Sequence, residues 1–91
     1  LIMITIKGYV EGRVQGVGFR YFVKNNANQL NVAGYAKNLP DTRVEFVLQG
    51  EQAALTPLLQ IINRGPSNSS VKTLESQLQD TDEHYRNFSI R

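Results

Sequence analysis

The chain has 91 residues, 41 % hydrophobic and 20 % charged, with no cysteine. That length holds one small core, so residues 1–91 read as a single domain. The missing cysteines exclude a disulfide scaffold, a thiol nucleophile and an iron–sulfur or cysteine metal site. Ten basic and eight acidic residues leave a net charge of +2 with no block of five like charges, a balance that favours small anions over nucleic acid or an anionic membrane surface. No apolar run approaches the ~20 residues of a membrane span, and no secretory start pattern is visible, so a cytoplasmic protein is expected, with a monomer as the default.

Along the chain, Ile2, Ile4, Ile6 and Val10 share one parity while Thr5, Lys7, Tyr9 and Glu11 share the other, which predicts a half-buried strand. Gly12 to Gly18 holds three glycines in seven residues and reads as a shaped loop. Phe19, Val23, Ala27 and Leu30 then form one stripe of a helix, for which Asn31 is a left-handed stop. A strand over 33–39, a turn at Leu39-Pro40-Asp41-Thr42 and a strand carrying Val44, Phe46 and Leu48 predict a hairpin.

Leu55, Leu58, Leu59 and Ile62 mark a second helix, ended by Gly65-Pro66. Pro57 lacks an N–H and crowds the preceding turn, so this helix is expected to start near Ala53 or Ala54 or to kink. A strand over 71–78 and a short one over 86–90 follow, separated by the solvated turn Asp80-Thr81-Asp82-Glu83. Two helical stripes and one apolar face per strand satisfy each other if both helices cover one face of an antiparallel sheet of four or five strands. The expected class is α+β, a ferredoxin-like split βαβ sandwich.

The glycine loop lies between a strand and a helix start, where main-chain N–H groups lack partners and the helix dipole is positive. Gly16 and Gly18 allow consecutive N–H groups to curl around an anion, and Arg20 adds a planar fork for phosphate oxygens. Neither Gly-Lys-Ser/Thr nor a third glycine three residues past Gly18 follows, so nucleoside triphosphate and dinucleotide fingerprints are absent.

Read whole, Val10-Glu11-Gly12-Arg13-Val14-Gln15-Gly16-Val17-Gly18-Phe19-Arg20 resembles the first signature of the acylphosphatase family. Gly34-Tyr35-Ala36-Lys37-Asn38, followed by Val44 and Gly50, is similar to its second signature at the expected distance. The resemblance implies the same sandwich fold and hydrolysis of acyl phosphates to a carboxylate and inorganic phosphate, without metal or cofactor. It also implies that Gln15, Gly16, Val17, Gly18 and Phe19 supply main-chain donors, that Arg20 binds the phosphoryl group, and that Asn38 holds the attacking water.

Thr42 departs from the family, which has glycine there. Threonine resists positive φ, so Asp41 is expected to take the left-handed position, at a cost of about 1 kcal/mol to the hairpin. Arg13 and Lys37 read as solubilising surface charges, and Tyr35 as a packing residue. His84 among Asp80, Asp82 and Glu83 lacks a metal-site spacing and reads as part of an acidic turn. The competing function is an RNA-binding module, since the same element order serves domains that stack bases on sheet aromatics.

Overall fold

The computed structural model of the chain describes residues 2–91. Its elements are β1 (Ile4–Arg13), α1 (Phe19–Gln29), β2 (Ala33–Asn38), β3 (Val44–Gly50), α2 (Gln52–Arg64), β4 (Ser70–Leu78) and β5 (Phe88–Ile90). The strands form one sheet in the order β4-β1-β3-β2-β5. β1 lies between β3 and β4 and is antiparallel to both, and β3 is antiparallel to β2. The fold is the expected α+β sandwich, with α1 packed on β2 and β5 and α2 on β3 and β4.

Strand alternation decides which face the helices cover. Ile6, Val10, Val44, Phe46 and Leu48 meet Val23, Ala27, Leu55, Leu58 and Ile62 in one core. Burying each of the larger side chains contributes about 1.5–3 kcal/mol. α1 ends where its sequence says, because Asn31 adopts φ 58°. The N–H of Val32 then donates to the carbonyl of Ala27 (2.8 Å) and that of Asn31 to Asn28 (3.3 Å), the paired bonds of a Schellman stop.

Three expectations are corrected. The sheet is mixed, because β5 runs parallel to β2. β4 and β5 occupy opposite edges. The chain leaves β4 at one end of the sheet, crosses it, and re-enters pointing back in the direction of β2. The Asp80–Glu83 stretch is therefore part of a strap over the face that carries no helix, held where Gln49 Nε2 donates to the Glu83 carbonyl (2.8 Å) and the Tyr85 N–H donates to Gln49 Oε1 (2.9 Å).

α2 begins at Gln52, within one residue of the expected start, with Ala54 and Leu55 N–H donating to the Glu51 carbonyl (2.9 and 3.0 Å). Pro57 lies in the second turn, where its missing N–H removes the bond to the Ala53 carbonyl. Finally, the left-handed residue of the β2–β3 turn is Thr42 itself, at φ 81°, and Asp41 is not left-handed. Pro40 fixes φ early in the turn, and a three-residue hairpin loop of this kind ends in a left-handed residue before the strand resumes.

Candidate active site

β1, β2 and β5 all run toward the same end of the sheet, so the connection after β1, the turn after β2 and the residue after β5 gather there. The connection Val14–Gly18 is anchored by side chains at both ends. Val14 is 1 % exposed and Phe19 2 % exposed, whereas Gly16 and Gly18 face solvent. The Phe19 ring packs in the core beside Phe22, with centroids 6.1 Å apart, so its main-chain N–H is what it presents to the loop.

Gly16 and Gly18 have φ 73° and 76°, left-handed values, with Val17 between them at negative φ. A Cβ placed on either glycine meets nothing within 4 Å, so these positions are open rather than filled by close packing. Among the described residues, no main-chain N–H from Gln15 to Phe19 donates to a main-chain carbonyl, and the first bond of α1 runs from Phe22 to Gly18 (3.0 Å). Alternating backbone of this kind turns neighbouring N–H groups toward one point, at the positive end of a helix dipole.

Arg20 stands in the first turn of α1, where no acidic side chain balances it. Its Nη1 donates to the main-chain carbonyl of Arg91 (3.0 Å), which fixes the guanidinium from one side. Among the described residues it joins no salt bridge. A cation at a helix N-terminus is electrostatically unfavourable unless an anion is shared with the amides, and the open space here lies at Gly16 and Gly18. Arg91 is held in turn by its N–H bond to the Ala36 carbonyl (2.9 Å) and by its guanidinium, 3.9 Å above the Tyr35 ring.

Asn38 is the last residue of β2, half-buried and registered with Val44. The turn after it is closed by Leu39 N–H to the Arg43 carbonyl (2.9 Å) and Thr42 N–H to the Leu39 carbonyl (3.1 Å). Asp41 caps the turn by accepting from Arg43 N–H (3.1 Å) and Arg43 Nε (2.8 Å). The main-chain bond first, with the guanidinium beside it, holds the Asp41 carboxyl below its usual range. Tyr35 is a packing residue with a polar tip, donating to Glu45 Oε2 (2.7 Å). Burial first and that bond second push its hydroxyl pKa well up.

Gln15 does more than sequence reasoning assigned to it. Its Nε2 donates to the carbonyls of Leu39 (2.9 Å) and Arg43 (3.0 Å), joining the glycine loop to the hairpin that bears Asn38. The Arg91 carbonyl was also missed, and no local signal could reveal a partner 71 positions from Arg20. Lys37 is exposed and Arg13 lies on the outer surface, as expected. Among the described residues no group of three or more His, Asp or Glu is placed to hold a metal, and no helix is long and apolar enough to cross a membrane.

The family pattern described as Acylphosphatase matches residues 6–90. An acylphosphatase of Archaeoglobus fulgidus is 41 % identical over 88 residues, covering 97 % of this chain and 98 % of that protein. One of Thermus thermophilus is 47 % identical over 75 residues, covering 82 % and 85 %. The crystal structure of acylphosphatase from Bacillus subtilis superposes with a TM-score of 0.93 at 36 % identity, over 97 % of this chain and 98 % of that one. Signature blocks, fold and relatives agree, and the chain belongs to the acylphosphatase family of hydrolases.

Proposed function

We propose that the loop Gln15–Phe19 and Arg20 grip the phosphoryl group of an acyl phosphate while Asn38 orients the water that attacks it. The observation that carries this reading is the run of main-chain N–H groups without main-chain acceptors from Gln15 to Phe19, with open space at Gly16 and Gly18 and Arg20 in the first turn of the helix that follows. A phosphoryl transition state spreads negative charge over its equatorial oxygens, so fixed N–H dipoles and a guanidinium stabilise it more than the ground state. Asn38 is neutral and can both accept from and donate to water, so it holds the nucleophile in line without repelling a dianion.

In the reaction the water oxygen bonds to phosphorus as the bond from phosphorus to the acyl oxygen breaks. The leaving carboxylate belongs to an acid of pKa about 4 and departs unprotonated, so no general acid is required. The water proton passes to a phosphoryl oxygen, and the products are a carboxylate and inorganic phosphate. Loop, Arg20 and Asn38 all come from one chain, which supports a monomer as the working form; we place it in the cytoplasm as one domain over residues 1–91. The RNA-binding alternative needs an open sheet face, and here that face is crossed by the segment after β4, with the Tyr85 ring 6.2 Å from that of Tyr35.

Hydrolysis of benzoyl phosphate by the wild type, Arg20→Gln and Asn38→Ala tests the assignment. Each substitution is expected to lower kcat/KM by about 100-fold or more, a loss of roughly 3 kcal/mol of transition-state binding, with the fold intact by circular dichroism. A folded Arg20→Gln chain within about threefold of wild type overturns the role given to Arg20.

A further inference from the structure

We infer that the Gln15 side chain is a positioning residue that sets the register between the phosphoryl cradle and the water held by Asn38; the inference rests on the function proposed above. The two halves of the site sit on strands that are not neighbours, since β3 lies between β1 and β2. The β1–β3 ladder makes its last pair at Val10 with Val44, and the β2–β3 ladder at Asn38 with Val44. Both ladders therefore stop short of the loop, and no sheet bond fixes residues 15–18 against the hairpin.

Gln15 supplies that connection. Its Nε2 has two hydrogens, and both are used, one on the Leu39 carbonyl (2.9 Å) and one on the Arg43 carbonyl (3.0 Å). Among the described residues no other hydrogen bond joins 14–18 to 38–43. Each carbonyl already accepts an N–H from within the hairpin. The hairpin is thus closed without Gln15, and what the carboxamide adds is its location relative to the loop. In-line attack depends steeply on that relation, because a misplacement of about 1 Å costs on the order of 100-fold in rate.

The side chain acts on the alignment of the two halves, so its removal separates turnover from anion binding. With benzoyl phosphate as substrate and inorganic phosphate as competitive inhibitor, Gln15→Met is expected to lower kcat about tenfold and leave the phosphate inhibition constant within about twofold of wild type. Gln15→Glu sharpens the test. Its carboxylate repels both carbonyls, while its protonated form donates one hydrogen bond, so its kcat relative to Gln15→Met is expected to rise as pH is lowered from about 7.5 to about 5.

A Gln15→Met chain with wild-type kcat overturns the inference, as does a phosphate constant that weakens in step with kcat, or a Glu-to-Met ratio indifferent to pH. If Gln15→Met does not fold, as judged by a cooperative urea transition, the pH dependence of Gln15→Glu relative to wild type decides in its place. Failure of the cradle itself looks different: phosphate inhibition would then survive Arg20→Gln while Gln15 is untouched.

Discussion

Two of the segments outside the helices and strands, the loop after β1 and the strap between β4 and β5, treat their main chains in different ways. In Val14–Gly18 the N–H groups from Gln15 onward have no main-chain acceptor. In the strap between β4 and β5, by contrast, several main-chain groups are bonded to the sheet beneath. Gln79 N–H donates to the Thr5 carbonyl (2.8 Å), the Gly34 N–H donates to the Asn87 carbonyl (3.0 Å), and Gln49 serves both Glu83 and Tyr85 while also donating to Thr5 Oγ1 (2.9 Å). The strap is tied to the rest of the fold at several points along its main chain, whereas Gln15–Phe19 has none of its N–H groups tied down at the start of a helix, and the function proposed above turns on that difference.

That contrast can be broken most directly with inorganic phosphate. At 100 times its Kd it is expected to raise the free energy of unfolding by about 2.7 kcal/mol, read as an upward shift of Tm that Arg20→Gln diminishes. No shift at saturation would make the loop a connection like the strap. A somewhat smaller effect is expected from Gln49→Leu. It strips the Glu83 carbonyl and the Tyr85 N–H of their partners and is expected to lower stability by about 2 kcal/mol in urea titrations. Phosphate is expected to add the same increment to this variant, because the loop is untouched.

The smallest effect is at alkaline pH. Burial first, and then Glu45 and Glu83 respectively, raise the pKa values of Tyr35 and Tyr85 above the ordinary tyrosine range. Neutral tyrosine is thus favoured in the folded chain. The stability this confers is complete below the unfolded value of about 10 and is lost as pH climbs through the folded values. The urea midpoint is expected to fall above about pH 10, and to fall less steeply in Tyr85→Phe. An identical slope would show that the strap does not feel the ionisation.

Features encoded by neighbours in sequence were legible. The apolar stripe of α1, its stop at Asn31 and the glycine pair at 16 and 18 each arise from chemistry within a few residues. Features that depend on distant partners were not. Asp80–Glu83 resembles a solvated turn until Gln49, 34 positions from Glu83, is seen to hold it. Gln15 resembles one more main-chain donor until its side chain is seen to span 24 and 28 positions to the hairpin. Thr42 shows a different limit: the reluctance of a β-branched residue to adopt positive φ is real, but the turn that Pro40 imposes overrides it.

The place of β1 in the sheet order has a consequence for how the protein is made. β1 is made before both strands it pairs with, β3 and β4, so Val10 waits for Val44 on one side and Leu74 on the other. Contacts of such long range form slowly, because the intervening chain must be closed before they contribute. Translation therefore delivers Gly16 and Gly18 well before the Arg91 carbonyl that accepts from Arg20. A product stalled before β3 would expose Ile4, Ile6 and Val10 as an unpaired apolar strand, the form in which nascent chains associate with one another.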